Sequence, residues 1–467
     1  MEKTPIREKM SNLNENYQFY IIRPGGNDTA LINGIVLNSQ KRKEINDLIM
    51  QFYPNVEQAG FVELNPVNPQ LMMAGGEFCG NATRSTAYLA LNGQPGQVEI
   101  SVFGVKNKLI AGVDQNNNAY AKMPVYPDPT RVDKDNQNRD SWIVEMEGIT
   151  HYVTFDTREI DGLNPEQIKI IGNKKIKEKK LDNFSAAGVI YVTQTKKTKN
   201  GFQIKPVVWV RNIDTLFYES ACGSGTTALG LVLAKNNNSG IKVPVVQPSG
   251  MTIDIEIDFD GKEFKSAQIK GPIELLGRGS LERNSKGDFV IEQIKNKERL
   301  EEAFSRNLVN LYRQIFSQPP YEEEFSENEV KSFFYDYLNQ GILFLARDLN
   351  SVIGFGAALP LENDSEIAEI ARVYNIDPVN TWYMADLGVN EEYRKLGMGT
   401  KLVEARLKNF SKGSTVLMRT SENNKDSQNI YRELGFSIVP DMIQKVERQR
   451  TDGTIKKDRR IFMKKTI

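Results

Sequence analysis

The chain has 467 residues, more than one hydrophobic core ordinarily supports, so at least two domains are expected. Lys plus Arg and Asp plus Glu number 60 each, which leaves no global field to draw nucleic acid or an anionic membrane; small-molecule chemistry is the better expectation. Two cysteines are too few for a disulfide framework, and with a solitary histidine, His151, the common zinc ligand sets cannot be assembled, so no metal is expected.

Met1 to Asn16 is polar and charged, lacks the apolar stretch of a secretory signal, and reads as a short disordered start. No run of about 18 apolar residues follows, so a cytoplasmic protein without a membrane partner is expected. From Tyr17 to about Gly279 short β-rich runs (Phe19 to Ile22, Val98 to Phe103, Lys108 to Val113, Val189 to Thr193, Met251 to Ile257) alternate with turns. Two helical segments interrupt them, one after Cys79 (Gly80 to Leu91) and one after Cys222 (Gly223 to Lys235). Cys79-Gly80-Asn81-Ala82-Thr83 reads like Cys222-Gly223-Ser224-Gly225-Thr226, which marks a duplicated half, about 17–140 and 141–279. The runs Ala87 to Leu91 and Ala228 to Ala234 are apolar on nearly every face, so each helix is expected inside a strongly curved sheet.

Inverting a carbon next to a carboxylate needs a base on one face and an acid on the other, and two thiols can be both. A helix N-terminus lowers a thiol's pKa, so a thiolate and thiol pair poised at neutral pH is expected. Backbone N–H groups of Gly80, Asn81, Gly223, Ser224 and Gly225 are placed to hold a substrate carboxylate.

Over Gln18 to Gly279 these residues resemble the diaminopimelate epimerase superfamily. Gly25-Gly26-Asn27-Asp28 is similar to its first substrate loop, with Asn27 the substrate contact. Phe78-Cys79-Gly80-Asn81 and Ala221-Cys222-Gly223-Ser224-Gly225 resemble its two catalytic segments, Gly148-Ile149-Thr150-His151 a third signature, and Lys270-Gly271-Pro272 the closing strand. The resemblance implies two similar α/β barrels, each around a central helix, and proton transfer by Cys79 and Cys222 without pyridoxal phosphate. It makes Asn27, Gly80, Asn81, His151, Gly223, Ser224 and Gly225 substrate-binding. Two departures bear on the substrate: Ile149 replaces the family's Asn, and its Glu-Arg pair falls on Ile213 and Asp214. An Asp cannot grip a distal carboxylate, so Asp214 is expected to select a basic or polar side chain. Histidine, as in the histidine racemases of this superfamily, is favoured over diaminopimelate.

Residues 280–288 are polar and Gly-bearing and are expected to form a linker. Beyond them a strand at Phe289 to Ile294, a helix with apolar residues from Leu300 to Ile315, paired strands Leu343 to Ala346 and Val352 to Leu359, and a strand Trp382 to Val389 predict a separate α/β or α+β domain over 289–467. Asp386-Leu387-Gly388-Val389 then runs into Arg394-Lys395-Leu396-Gly397-Met398-Gly399-Thr400 at a helix start, where converging N–H groups suit a pyrophosphate. With Tyr431 in the later Ser427 to Phe436 segment, this resembles the GNAT acetyltransferases. That resemblance implies an acetyl-CoA site of Leu387, Val389, Arg394, Lys395, Gly397, Met398, Gly399 and Thr400, with Tyr431 protonating the departing thiolate.

The combined expectation is a bifunctional enzyme that racemises an amino acid and couples this to N-acetylation. Downhill acyl transfer would drain a racemic mixture toward one product, and tethering raises local concentration. The alternatives are an acetyltransferase with a non-catalytic amino-acid-binding module, or another proton-shifting isomerase in the first domain. The oligomeric state stays open.

Overall fold

The computed structural model describes residues 17–195 and 201–467; the expected disordered start lies outside the described residues. The chain divides into two compact units, Phe19–Leu276 and Gly277–Ile467, the latter with Tyr17 and Gln18. The first unit is built twice over. Strands Tyr17–Pro24, Asp28–Asn33, Val56–Glu63, Gln70–Met73, Gly96–Val102, Leu109–Val113 and Ala119–Lys122 pair in succession as one mixed sheet. Val132–Lys134, Ser141–Met146, Ile149–Thr154, Ala186–Thr195, Gly201–Val210, Ile241–Val246, Thr252–Phe259 and Phe264–Gly271 form the second. Phe264–Gly271 also pairs with Ala119–Lys122, joining the halves. The division between them falls between Lys122 and Val132, earlier than the expected 140/141, because Val132–Lys134 is laddered to Ser141–Met146.

Four helices serve this unit: α1 (Ser39–Phe52), α2 (Gly80–Ala90), α3 (Pro165–Glu178) and α4 (Gly223–Asn237). Every residue of α2 except Tyr88 is buried, and α4 is buried continuously from Gly223 to Val232. Helices buried on every side are enclosed by sheet, and the polar side chains of α2 bond inward, as Arg84 does to Asn81 and the Gly271 carbonyl. Accordingly α2 touches the strands from Gln70 to Lys122, and α4 touches Ile149–Thr154, Ala186–Thr195 and Thr252–Phe259. By contrast α3 is amphipathic and sets Ile168 and Ile176 against Tyr152, Val189, Tyr191 and Val207 on the other face of the second sheet. Covered on both faces, Ile149–Thr154 is buried at all six positions.

In the second unit the stretch expected as a linker is a β hairpin: Ile273–Asn284 pairs with Gly287–Ile294, Leu281 opposite Val290. The buried side chain of Leu281 and the ladder outweigh the polar composition that suggested an irregular connection. Strands Ile342–Arg347 and Val352–Pro360 continue the sheet antiparallel. The helix expected over 300–315 is two, α5 (Lys297–Ser305) and α6 (Leu308–Phe316). Asn307 takes a left-handed φ of 77° between them, and the Arg306 carbonyl accepts from Val352 N–H, so the break is tied to the start of a strand. Then come α7 (Glu327–Gln340), α8 (Ser365–Val373), α9 (Met398–Leu407) and α10 (Lys425–Glu433). One face of the sheet packs Phe289, Phe344 and Ile353 with Leu402, Val403 and Phe436; the other packs Leu343, Leu345 and Phe355 with Leu300, Leu308 and Phe334.

The strand expected over Trp382 to Val389 is also divided, into Thr381–Met384 and Leu387–Val389. Ala357 bonds to both Ala385 and Asp386, two residues against one, which is a β-bulge. Thr381–Met384 runs parallel to Thr415–Ser421 as far as Met384 opposite Met418, whereas Leu387–Val389 pairs with Gly354–Gly356 instead. The two strands therefore part at the bulge, and a cleft opens between them. Among the described residues no helix is long and apolar enough to cross a membrane.

Candidate functional sites

Both cysteines are N-caps. Cys79 (φ −134°, ψ 111°) and Cys222 (φ −127°, ψ 107°) leave an extended segment for α2 and α4, and each Sγ accepts from the N–H three residues on, Ala82 or Gly225, at 3.3 Å. Thr83 and Thr226 each return their hydroxyl to the cysteine carbonyl, at 2.8 and 2.7 Å. The duplication read from sequence thus extends to individual hydrogen bonds. The helix starts meet closely: a side chain on Gly223 would lie 3.2 Å from Asn81 N, and one on Gly225 would strike Ile190 and the Cys222 sulfur. A side chain at either position would crowd the approach.

Cys79 and Cys222 line one cavity of about 30 Å³, walled by Phe78, Asn81, Ile149, Ile213, Phe217 and Ser224 and by three carboxylates, Glu57, Glu77 and Glu219. This is room for about one water, so an amino acid has to displace wall side chains to enter. The carboxylates were missed in the sequence, where they stand isolated among ordinary strand and turn residues. Burial pushes Glu57 up to about 7, against hydrogen bonds from Ser220, whose N–H reaches its oxygens at 3.0 and 3.1 Å, and from Asn27 at 2.6 Å. Burial raises Glu77 to about 7, and its Oε2 is buried without a partner among the described residues. Glu219 rises to about 8 through burial and the charges of Glu57 and Glu77, and is in hydrogen-bond contact with the Cys222 thiol. Among the described residues no group of acidic, His or Cys side chains is placed to share a metal ion.

The thiols differ from expectation. Burial, with Glu219 and Glu77 nearby, pushes Cys79 up to about 12 despite the Ala82 N–H, and burial with the adjoining Glu219 holds Cys222 well above its usual range. In this closed state both are thiols, because desolvation outweighs the helix N-terminus. Arg84, one turn into α2, is fully buried and bonds to Asn81 Oδ1 and to the Gly271 and Pro272 carbonyls. Its charge lies close enough to Cys79 to favour a thiolate there. Gln247 is buried as well, and its Oε1 holds the Cys222 N–H at 2.9 Å.

Of the substrate-binding residues expected from sequence, Asn81, Gly223 and Ser224 line the cavity, and Gly80 and Gly225 form the helix starts beside it. Asn27 is behind the wall, holding Glu57 while Thr29 and Gln58 hold its own oxygen. His151 and Asp214 are not on the wall. His151 is wholly buried on strand Ile149–Thr154, two residues from the lining Ile149, and desolvation drops its pKa to about 3, so it is neutral. Asp214 closes a 3-10 turn at φ 52° with its side chain exposed, which turns Ile213 and Thr215 to the cavity instead. The carboxylates on the cavity wall are Glu57, Glu77 and Glu219, and Asp214 is not among them.

The second unit holds a cleft of about 840 Å³ where the strands part. Leu387, Val389, Arg394, Lys395, Gly397, Gly399, Thr400 and Tyr431 line it; Met398 does not, its side chain being buried in the core against Leu402. Gly397 takes φ 79° as the N-cap of α9, so the first N–H groups of the helix face the cleft mouth without a side chain in the way. Arg394 Nε donates to the Val389 carbonyl at 3.1 Å. Tyr431 is buried edge-on to Phe436, and its hydroxyl accepts from Arg406 Nη2 at 3.4 Å.

The chain carries a racemase or epimerase domain followed by an N-acetyltransferase domain. The chain belongs to the family described as the histidine racemase CntK N-terminal domain, matched over residues 16–281, and residues 306–436 match the acetyltransferase (GNAT) family. A histidine racemase of Fusobacterium nucleatum subsp. nucleatum is 29% identical over 284 residues, covering 56% of this chain and 96% of that protein. One from Staphylococcus aureus is 23% identical over 272 residues, covering 56% and 96%. Among solved structures, a hydroxyproline epimerase from Agrobacterium vitis aligns at 11% identity and a TM-score of 0.42, covering 57% of this chain and 93% of its own.

Proposed function

We propose that the first unit racemises a free amino acid with a basic side chain, histidine foremost, through Cys79 and Cys222, and that the second transfers acetyl from acetyl-CoA to an amine. The observation that carries the first part is the ring of Glu57, Glu77 and Glu219 around the two thiols. Such a wall repels an acidic side chain and favours a cationic one. An entering cation ionises these carboxylates. Glu219 then accepts the Cys222 proton, one thiolate removes the Cα proton, and the opposite thiol returns one to the other face. The free N–H groups at the starts of α2 and α4, with Arg84 behind, stabilise the substrate carboxylate and the carbanion. The histidine racemase activity of the relatives supports this reading.

In the second unit the side-chain-free turn at Gly397, the basic Arg394 and Lys395, and the parted strands fit acetyl-CoA. Acetyl-CoA supplies the activated acyl group; Arg394, Lys395 and the start of α9 hold its phosphates, and Tyr431 donates a proton to the departing sulfur. A product that leaves as an N-acetyl compound would drain the racemic mixture. Incubation of L-amino acids in deuterated water, with chiral chromatography and mass analysis, tests the first activity: deuterium at Cα with loss of optical purity is expected for histidine. Exchange that is absent from every amino acid would leave this unit a binding module.

A further inference from the structure

Among the charges lining the cleft of the second unit, Asp386 and Arg419 are where the strands part and are in none of the ion pairs of the described residues. Asp386 stands in the bulge where the strands part. Tyr337 donates to its Oδ2 at 2.6 Å and Tyr312 to the same oxygen at 3.2 Å, while Oδ1 receives no hydrogen bond among the described residues. The buried guanidinium of Arg406 is directed at the carbonyls of Ala357, Asp386 and Leu402 and not at the carboxylate. Arg419 is on the facing strand, one residue past the last pair, Met384 with Met418. Its Nη1 donates to Gln444 Oε1, and among the described residues no carboxylate is within ion-pair distance of it. Asp386 and Arg419 line the same cleft, and the charges near Arg419 are Tyr383, Asp364 and Glu366 ahead of Asp386. Of the other cations lining the cleft, Arg460 pairs with Glu323 and Asp458, Arg394 and Lys395 are at the start of α9, and Lys425 at the start of α10 donates to the Glu422 carbonyl.

We infer that the acetyl acceptor is a free α-amino acid bound as a zwitterion, its carboxylate on Arg419 and its amino group against Asp386 Oδ1. This rests on the acetyltransferase reading above and deepens it. A guanidinium matches a carboxylate with two parallel hydrogen bonds. A polyamine or a peptide N-terminus brings no carboxylate at that distance from the amine and would leave Arg419 unused. Asp336 and Asp364 also line the cleft and offer carboxylates to a basic side chain.

The step balances as follows. Asp386 Oδ1 takes one proton from the ammonium; the freed amine attacks the thioester carbonyl carbon, forming the C–N bond. The tetrahedral adduct collapses with cleavage of C–S, and the sulfur takes the Tyr431 proton. The amine's second proton passes to solvent as the amide forms, and Asp386 and Tyr431 exchange with water to restore the site. One ammonium and one thioester give one amide, one thiol and one proton.

The test compares, on the full chain, CoA release from acetyl-CoA with D- and L-histidine, histidine methyl ester, histamine, spermidine and an alanyl peptide, at initial rates. Histidine, in at least one enantiomer, is expected to exceed histamine and the ester at least 30-fold in kcat/KM. In Arg419→Gln that ratio should collapse to within threefold, mainly through the histidine KM. Asp386→Asn should lower kcat at least 100-fold with all amines. Calorimetry adds a second readout: Arg419→Gln should keep acetyl-CoA binding, which shows that it is folded, yet lose histidine binding. Histamine, spermidine or the peptide matching histidine in the wild type overturns the assignment while leaving the acetyltransferase reading intact, as does an equal loss on all amines in Arg419→Gln. Failure of the wild type to bind acetyl-CoA overturns that reading and the assignment with it.

Discussion

Asn81 in the first turn of α2 donates its side-chain amide to the carbonyl of Ala221, the residue before Cys222, at 3.0 Å. Its other end, Oδ1, takes the Arg84 guanidinium at 3.2 and 3.3 Å. One side chain therefore ties the helix behind the first cysteine to the segment that presents the second. Asn81→Leu leaves a buried carbonyl and a buried guanidinium each short of a partner, at a cost of about 2–4 kcal/mol. The checks are chemical denaturation and racemisation; a variant of unchanged stability and unchanged rate would show that the clamp does not matter.

Replacing either cysteine by alanine should stop inversion altogether, since each face of Cα needs its own proton carrier. The loss should exceed about 1000-fold in chiral assays, with thermal stability little changed. Added pyridoxal phosphate should not rescue. Retention of a tenth of the wild-type rate in either variant would refute the two-thiol mechanism.

The carboxylate ring predicts a graded response. Glu219→Gln removes the acceptor for the Cys222 proton and should lower racemase kcat about 100-fold. Glu57→Gln should act more on KM for histidine and should narrow the preference for histidine over a neutral amino acid. Asp214→Ala should do neither, because that side chain is exposed. A changed substrate preference in Asp214→Ala would mean that the turn moves into the cavity on binding.

Glu77 makes stability fall with pH. Its pKa is raised from 4.5 to about 7 by burial, so the folded state holds the proton that the unfolded state releases. Its contribution is complete below pH 4.5 and is lost as pH rises through 7, by up to about 3 kcal/mol at about 1.4 per unit. Glu57 and Glu219 slope the same way, so the wild type should be compared with Glu77→Gln by thermal melting from pH 5 to 8.5. The variant should gain on the wild type as pH rises. A constant difference would mean that Glu77 is ionised throughout.

In the second unit Arg394→Ala should raise KM for acetyl-CoA about tenfold and weaken the salt dependence of that KM, because it removes one phosphate-facing charge. Tyr431→Phe should instead lower kcat with KM unchanged. Equal effects on both constants in both variants would point to misfolding of the cleft.

The amino-acid sequence by itself determined the local chemistry. Cys-Gly starts before small and apolar helical runs pointed to helix starts enclosed by sheet, and the Arg394 to Thr400 turn to backbone N–H groups at a helix start. These features are encoded within ten or fifteen neighbouring residues, and so were the duplication and the two-part organisation. Tertiary structure alone decided what surrounds those groups. Glu57, Glu77 and Glu219 come from three separate segments and carry no shared pattern, so nothing before folding marks them as one wall. Asp214 looked like the selector because it takes the place of the family's Arg before Cys222, yet it closes a left-handed turn as an exposed residue while Ile213 lines the cavity. The hairpin at 273–294, the break at Asn307 and the bulge at Asp386 were invisible for the same reason: each is set by a partner strand distant in sequence. The protonation of the cysteines belongs here as well, since a thiol's pKa depends on how completely the fold removes water from it, a property of the enclosed cavity and not of the Cys-Gly motif.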